Sequence, residues 1–439
     1  MLKITFLGAG STIFARNVLG DCMLTEALQD SEIALYDVNA DRLRESEAIM
    51  GAINRGLGGK AKIKAYLGVE TRREALRGAG FVVNAIQVGG YDPCTITDFE
   101  IPKKYGLRQT IADTTGIGGI MRALRTIPVL ESFARDIEEV CPDAWFLNYT
   151  NPMSMLTGYL QRYTGVKTVG LCHSVQVCSE TLLKSLAMDD KLSGRRELIA
   201  GINHMGWLLE IMDSEGRDLY PEIKRRSAEK NKAGTHDDMV RFDYIEKFGY
   251  YCTESSEHNA EYGPFYIKRG YPELIGRFNI PLDEYPRRCV SQIAEWEAQH
   301  KQLTSEAALY HKRSNEYSSH IIEAMVTGVP FQIGGNVRNA GLIENLPADA
   351  CVEVPCFVNG SGIWPCHVGR LPVQLAAMNM TNINVHLLAI EAAVTLKREH
   401  IYHAAMLDPH AAAELSLDDI IAMVDELIAA HGDWLPKFE

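Results

Sequence analysis

The sequence predicts an α/β fold: a doubly wound, mostly parallel sheet joined to a closely packed α+β domain. Up to about residue 195, short apolar runs alternate with segments of helical spacing, which is the pattern of parallel strands and their crossover helices. From residue 196 to residue 439 this alternation stops, and no linker rich in Pro, Gly or Ser separates the two parts. We therefore expect domains 1–195 and 196–439 to pack against each other, with a cleft between them.

The first part supplies the strands and helices of the predicted sheet. Its strands are expected at six short apolar runs: 4–7, 32–37, 63–67, 81–86, 144–148 and 168–171. Helical spacing between them predicts helices over 11–27, 40–55 and 120–140.

The second part is predicted to be mixed. Residues 201–212 are expected to form antiparallel strands, and 224–232 is a strongly charged segment that we expect to be solvated. Long helices are predicted over 286–323 and 378–400. An amphipathic helix over 417–430 follows Ser416, whose hydroxyl suits an N-cap.

Composition narrows the possible functions. The net charge of −13 disfavours nucleic acid and anionic membranes as partners, because phosphates attract an excess of Lys and Arg. No apolar run reaches the roughly 18 residues that span a bilayer. The chain begins directly on a strand without a secretory leader, and its ten cysteines form no close CxxC pair. We therefore expect reduced thiols and a cytoplasmic location.

A glycine-rich turn follows the first predicted strand. Gly8 and Gly10 allow a tight turn and close approach of a pyrophosphate, and Ser11 and Thr12 open the following helix, whose N-terminus attracts anions. Asp37 ends the second strand, where a carboxylate binds ribose hydroxyls and repels a 2′-phosphate. These features predict a Rossmann-type domain that binds NAD, although a third glycine is missing and a plain strand–helix turn is the alternative.

Polar residues also follow later strands. Asn151 stands before a proline after the fifth strand, where it either forms a turn or presents its amide to a ligand. Asp113 and Thr114 lie in a Gly-rich run before a predicted helix. That run is either a flexible loop with a helix cap or a loop that brings Asp113 to substrate hydroxyls.

Cys172 and His173 follow the sixth strand. As neighbours on extended backbone they point in different directions, so they are not expected to bind one metal together. His204 is the best partner for Cys172, and a thiolate with an imidazole suits soft or borderline divalent metals. A lone histidine is more often a core or surface residue. The polar cluster 255–262 is likewise either a solvated helix start or part of a site.

Taken together, these residues resemble glycoside hydrolase family 4 over essentially the whole chain. The matching segments are 8–11, Asp37, 150–152, 172–175 and 203–204. Segments 353–356 and 379–384 are similar to the α-galactosidases (melibiases) of that family. The combination is specific, whereas no single motif is.

The resemblance implies an NAD- and manganese-dependent hydrolase of α-galactosides such as melibiose. It implies that Cys172 and His204 hold the metal with the hydroxyl oxygens at carbons 2 and 3 of the sugar, and that Asn151 contacts substrate or metal-bound oxygen. His173 would be the acid that assists the leaving group. The base would be Tyr251, His258 or Glu257, since the region 250–262 contains no Asp.

The implied reaction oxidises carbon 3, removes the proton at carbon 2, expels the aglycone, adds water and reduces the ketone again. The family commonly forms homodimers or homotetramers. Alternatives within the family are an α-glucosidase or an α-glucuronidase. Alternatives of other classes are a dehydrogenase of the malate or lactate type, in which Cys172 has no role, and an NAD-binding sensor without catalysis.

Overall fold

A computed structural model describes residues 1–305 and 308–439. Their strands belong to one sheet: β1 (Lys3–Leu7), β2 (Glu32–Asp37), β3 (Lys62–Leu67), β4 (Phe81–Asn84), β5 (Trp145–Asn148), β6 (Lys167–Gly170), β7 (Arg196–Ile202), β8 (Met205–Met212), β9 (Tyr251–Cys252), β10 (Phe331–Arg338), β11 (Cys351–Asn359) and β12 (Gly362–Pro365).

The α-helices of the same residues surround that sheet: α1 (Thr12–Leu24), α2 (Ala40–Gly56), α3 (Arg72–Leu76), α4 (Ile96–Lys104), α5 (Gly116–Val140), α6 (Met153–Tyr163), α7 (His173–Ser185), α8 (Tyr220–Ala233), α9 (Met239–Phe248), α10 (Ser256–Glu261), α11 (Glu273–Arg277), α12 (Glu284–Ser305), α13 (Ser318–Thr327), α14 (Val373–Thr395), α15 (Arg398–Leu407), α16 (Pro409–Glu414) and α17 (Leu417–His431). None is long and apolar enough to cross a membrane.

The first six strands form the predicted doubly wound sheet. They lie in the order β3-β2-β1-β4-β5-β6, and every pair among them is parallel. This is the strand order of a Rossmann fold, so the predicted fold class is confirmed. The carboxyl ends of these strands share one edge, which places the segments after β1, β4, β5 and β6 side by side.

The second part of the chain extends the same sheet with antiparallel strands. Beyond β6 the order continues as β10-β11-β7-β8-β9, while β12 pairs with β11. The strands β7 and β8 form the antiparallel pair predicted for 201–212, joined by a turn at Asn203 and His204. This continuation brings that turn towards the edge formed by the carboxyl ends of the parallel strands.

Two long helices predicted from the sequence are interrupted. In place of one helix over 286–323 the structure has α12 and α13, with no helix over 308–317. Burial of polar groups explains that segment's path, because the Asp21 carboxylate on α1 accepts hydrogen bonds from His311 and Ser314. The helix predicted over 378–400 ends at Thr395. Leu396 there has φ +57°, and its carbonyl accepts the amide of the C-terminal Glu439.

The remaining helix predictions hold more closely. The charged segment 224–232 lies within α8, most of whose residues are exposed or half-buried. The helix α17 begins directly after Ser416, whose hydroxyl accepts the amide of Asp419 at 3.1 Å, as its N-cap position predicted.

Candidate active site

A cavity of about 370 Å³ lies at the carboxyl edge of the parallel strands. Its walls come from the segments after β1, β4, β5 and β6, from the β7–β8 turn and from the region of α10. The lining residues are Ser11, Phe14, Ala85, Ile86, Gln87, Asp113, Arg122, Tyr149, Thr150, Asn151, Met153, Leu171, Cys172, His173, His204, Glu254 and His258.

The turn after β1 requires both of its glycines. Gly8 has φ +86°, and a Cβ there would lie 2.8 Å from the carbonyl oxygen of Ala85, the residue directly after β4. At Gly10 a Cβ would lie 2.8 Å from Asp37 Oδ2, to which the Gly10 amide donates at 2.6 Å. The backbone therefore passes close to β4 and to the end of β2, and Asp37 holds the turn in place.

The two hydroxyl residues that open α1 have different surroundings. Ser11 is exposed and lines the cavity. Thr12 is buried, with its hydroxyl 2.9 Å from Ser46, and the Ser46 hydroxyl donates to the carbonyl of Ala9 at 2.6 Å. The side chain of Thr12 therefore fastens the turn to α2, whereas Ser11 and the helix N-terminus face the cavity.

Cys172, His204 and Glu254 form a cluster of possible metal ligands. One ligand atom from each lies within 4.8 Å of the others. Cys172 follows β6, while His204 and Glu254 stand at positive φ, +62° and +64°, after β7 and β9. The sequence predicted the first two residues and missed Glu254, which directly precedes the polar cluster 255–262.

The chemistry of this donor set suits a borderline divalent ion. Burial raises the pKa of the Cys172 thiol well above its usual range, so a nearby cation is needed to hold the thiolate. Burial also disfavours the Glu254 carboxylate. The facing imidazoles of His258 and His204 nevertheless lower the pKa of Glu254 to about 2. Thiolate, imidazole and carboxylate together match a metal that accepts nitrogen, oxygen and sulfur ligands.

Neighbouring hydroxyls orient the His204 ring. Its Nδ1 lies 3.0 Å from the Tyr262 hydroxyl and 3.2 Å from the Thr114 hydroxyl. Its Nε2 lies 3.3 Å from a Glu254 oxygen, on the side of the cluster. Metal-binding histidines are typically held in this way, with one ring nitrogen bonded to a protein oxygen and the other left for the metal.

Asp113 and Asn151 lie together in the cavity, since the Asn151 amide donates to Asp113 Oδ2 at 3.2 Å. Burial opposes ionisation of Asp113, yet the Arg122 guanidinium lowers the pKa of that carboxyl. The loop before Asp113 is clamped by Glu261, whose carboxylate accepts the amides of Thr110 and Ala112, both at 2.8 Å. The second part of the chain therefore positions this loop of the first part.

His173 also lines the cavity, and its partner is Glu316. The His173 Nε2 lies 2.5 Å from a Glu316 oxygen, and the ring packs among Phe14, Tyr149 and Tyr317. Glu316 is 8% exposed. No pattern in the sequence predicts this pair, because the two residues are 143 positions apart. With Nε2 engaged by the carboxylate, Nδ1 is the nitrogen left to face a ligand.

Of the three candidate bases, the structure brings only His258 to the cavity. Its Nδ1 lies 2.7 Å from the Ser255 hydroxyl, and burial lowers its pKa, which favours the neutral imidazole. Tyr251 is fully buried in a separate apolar cluster, and its hydroxyl donates to Asp238 at 2.7 Å. The Glu257 carboxylate pairs with Arg288 at 2.5 Å and does not line the cavity. Neither residue is placed to take a proton from a ligand there.

The sheet has the Rossmann strand order of dinucleotide-binding folds. A thiol, an imidazole and a carboxylate cluster near the carboxyl ends of its parallel strands, where they could bind a metal ion. The chain belongs to family 4 of the glycosyl hydrolases and is a glycosidase. The family 4 glycosyl hydrolase model matches residues 3–188, and the model of the family's C-terminal domain matches residues 199–411. Family membership removes the dehydrogenase and the sensor from the alternatives.

Full-length relatives agree with this assignment. The chain is 62% identical over 439 residues to an alpha-galactosidase of Bacillus subtilis (strain 168), covering 100% of both proteins. The crystal structure of putative glucosidase lplD from Bacillus subtilis has a TM-score of 0.87 and 26% identity, covering 97% of this chain and 99% of that one. A 6-phospho-alpha-glucosidase from gut microorganisms, solved in complex with NAD and Mn²⁺, shares the fold over 100% of both chains, with a TM-score of 0.82 and 19% identity.

Proposed function

We propose that this enzyme is an α-galactosidase that requires NAD⁺ and Mn²⁺ and hydrolyses small α-galactosides such as melibiose. The observation that carries the proposal is the cluster of Cys172, His204 and Glu254 beside the glycine turn after β1. The 62% identity to a bacterial alpha-galactosidase over the full length supports the choice of sugar.

In this proposal the glycine turn and Asp37 hold NAD⁺. Gly8 and Gly10 let the backbone approach the pyrophosphate, Ser11 lies at the N-terminus of α1, and the side chain of Thr12 only secures the turn. Asp37 accepts ribose hydroxyls while keeping its bond to the Gly10 amide. When bound, NAD⁺ supplies a hydride acceptor for carbon 3 of the sugar and returns that hydride at the end of the turnover.

Cys172 and His204 are the proposed protein ligands of Mn²⁺, and Glu254 is a third that the sequence did not predict. When bound, the metal supplies Lewis-acid stabilisation of negative charge on the sugar oxygens at carbons 2 and 3. Because Cys172 belongs to residues 1–195 and the other two to residues 196–439, the site depends on both proposed domains. Asn151 and Asp113 then orient the sugar through its hydroxyls.

Two histidines carry the proton transfers in the proposed reaction. Ser255 and Glu254 lie on the Nδ1 side of His258, so Nε2 is the nitrogen that can accept a proton. His258 removes the proton at carbon 2 through this nitrogen. His173 donates a proton to the departing aglycone through Nδ1, while Glu316 fixes the orientation of the ring. The two roles are separate, so each can be removed without the other.

The test is a panel of aryl α-glycosides with NAD⁺, Mn²⁺ and a thiol reductant added singly and together. Release of galactose from the α-galactoside only with all three present is expected. Activity that survives exhaustive chelation would sink the proposal. Faster cleavage of the α-glucoside or the α-glucuronide would instead favour those alternatives.

We also propose that the enzyme is a homodimer or a homotetramer. A monomer mass measured by light scattering would contradict that proposal.

A further inference from the structure

Arg122 is a buried cation in the cavity that has no role in the reaction described above. It lies on α5, is 7% exposed, and lines the cavity. Across residues 1–305 and 308–439, its hydrogen-bond acceptor is the Tyr285 hydroxyl alone, at long distances of 3.4 and 3.5 Å from Nη1 and Nη2. The guanidinium also lies 5.6 Å from the centre of the Tyr285 ring.

Arg125, one turn further along α5, has closer protein acceptors than Arg122, although its buried Nη1 has no hydrogen-bond partner among the described residues. Its Nη2 donates to Asp98 at 2.7 Å and its Nε donates to the carbonyl of Val88 at 3.1 Å. Arg122 donates a hydrogen bond to no carboxylate or carbonyl among the described residues, and its interaction with the Asp113 carboxylate is electrostatic. A guanidinium carries five donors, and Arg122 lines the cavity, where a bound ligand can supply acceptors for the donors that Tyr285 does not use. The unused donors of Arg122 therefore point to an acceptor that enters the cavity with a ligand.

The charge of the cavity decides which ligand chemistry fits. Asp113 lines the same cavity and interacts electrostatically with Arg122, so an anionic group bound by Arg122 would also face the Asp113 carboxylate. Neutral hydroxyl oxygens accept from a guanidinium without that repulsion. The sugar oxygens at carbons 2 and 3 are already assigned to the metal, and the oxygen at carbon 1 leaves, so the hydroxyls at carbons 4 and 6 remain.

We propose that Arg122 is a specificity-determining residue that donates hydrogen bonds to the hydroxyl at carbon 4 or carbon 6 of the galactosyl ring. The inference rests on the proposed function, since it places a galactoside in this cavity. A site built to hydrogen-bond a substrate hydroxyl strongly rejects the analogue that lacks it, because the buried donors are then left unpaired. Tyr285 is the one hydrogen-bond acceptor of Arg122 among the described residues, and its long bonds leave other donors of the guanidinium for a ligand.

The test combines a residue change with a substrate change. Wild-type enzyme and Arg122→Met are assayed with NAD⁺ and Mn²⁺ on an aryl α-galactoside and on its 4-deoxy and 6-deoxy analogues. Removing the contacted hydroxyl should lower the wild-type kcat/KM by roughly 10- to 100-fold. On the parent substrate, the kcat/KM of Arg122→Met should be lower than that of the wild type by about the same factor. On the analogue without the contacted hydroxyl, the kcat/KM of Arg122→Met should fall no further. Arg125→Lys is the matched control. This variant should be less stable, but its kcat/KM should fall on the deoxy analogues by the same factor as that of the wild type.

The outcomes separate the inference from the proposed function. If the wild type does not cleave the parent galactoside, the proposed function fails. If the wild type cleaves it but both deoxy effects persist in Arg122→Met, only the role of Arg122 is overturned. A matching loss of NAD⁺ affinity in Arg122→Met, or a wild-type preference for an α-galacturonide, would also overturn it. Should Arg122→Met not fold, Arg122→Lys keeps the charge, and its deoxy effect at the contacted position should shrink.

Discussion

Replacing Asp21 with alanine is expected to destabilise the protein and loosen one wall of the active site. The Asp21 carboxylate is fully buried on α1. It accepts hydrogen bonds from His311 Nε2 at 2.8 Å, from the Ser314 amide at 3.0 Å and from the Ser314 hydroxyl at 2.6 Å. His311 packs so closely on α1 that a Cβ at Gly20 would lie 2.6 Å from its ring. The segment 308–317 therefore depends on this carboxylate.

The size of the effect follows from those contacts. Removing a buried acceptor leaves its donors unpaired, at about 1–3 kcal/mol for each donor, and three donors bond to the Asp21 carboxylate. An unfolding entropy of about 2.1 cal/mol/K per residue gives roughly 0.9 kcal/mol/K for cooperative unfolding of the 439 residues. A loss of about 4 kcal/mol then lowers Tm by about 4 °C. Activity falls as well, since Glu316 and Tyr317 are the last two residues of this segment and contact His173 and the Cys172 carbonyl.

Calorimetry near neutral pH measures the change, and hydrogen exchange shows whether 308–317 opens. Although burial opposes it, the bonds from His311 and Ser314 lower the pKa of Asp21 in the folded state. Its stabilisation is therefore present above the unfolded pKa of about 3.9 and is lost as pH falls through the lower folded pKa. Wild type and Asp21→Ala should thus converge in acid. Asp30→Ala, at an exposed site, is the control. A Tm shift below about 1 °C, or unchanged exchange in the segment, would refute the reasoning.

Three further predictions address the site itself. Loss of a residue that only orients a metal ligand weakens metal binding by roughly 10- to 100-fold. Cys172→Ser removes a proposed ligand itself, so it should weaken Mn²⁺ binding by more than that and leave NAD⁺ affinity intact. Unchanged manganese dependence would contradict the ligand role. Asp37→Ala should weaken NAD⁺ binding by about 10-fold or more, measured by titration, and equal affinity would reject the ribose contact. A galactoside labelled with deuterium at carbon 2 should exchange with solvent in wild type and in Tyr251→Phe but not in His258→Gln; strict retention by the wild type would exclude elimination.

The parallel half of the fold could be predicted because its signals are local. Each strand from β1 to β6 is a short apolar run, and each crossover segment carries helical spacing. The antiparallel extension was only partly predictable. The pair β7–β8 is joined by a short turn, but β10 and β11 come from far along the chain and insert between β6 and β7. No pattern in the residues of β10 specifies that position.

The two broken helices show how tertiary contacts override helical spacing. Residues 308–317 contain few helix breakers, yet the buried carboxylate of Asp21 draws their polar groups to α1. At Leu396 the C-terminal Glu439 folds back and bonds to the chain on both sides of the break. In both places the deciding partner lies far away in the sequence, so a window of a few residues does not contain the information.

The site residues divide in the same way. Asp37 ends a strand and Cys172 lies two residues after one, and the apolar runs of those strands mark both positions in the sequence. Glu254 follows a strand of two residues, too short to be recognised, although it adjoins the polar cluster 255–262. Arg122 did leave a signal: it is a charged residue on the buried face of α5, among residues that otherwise form the core. Glu316 left none.

The cluster of Cys172, His204 and Glu254 is best understood as one electrostatic unit. Burial disfavours both the thiolate of Cys172 and the carboxylate of Glu254. If both were ionised, they would also repel each other, because their ligand atoms lie within 4.8 Å. A cation between them would offset both effects. The imidazole of His258 stabilises the Glu254 carboxylate. Burial lowers the pKa of His258 itself and so favours the neutral imidazole that the proposed base requires.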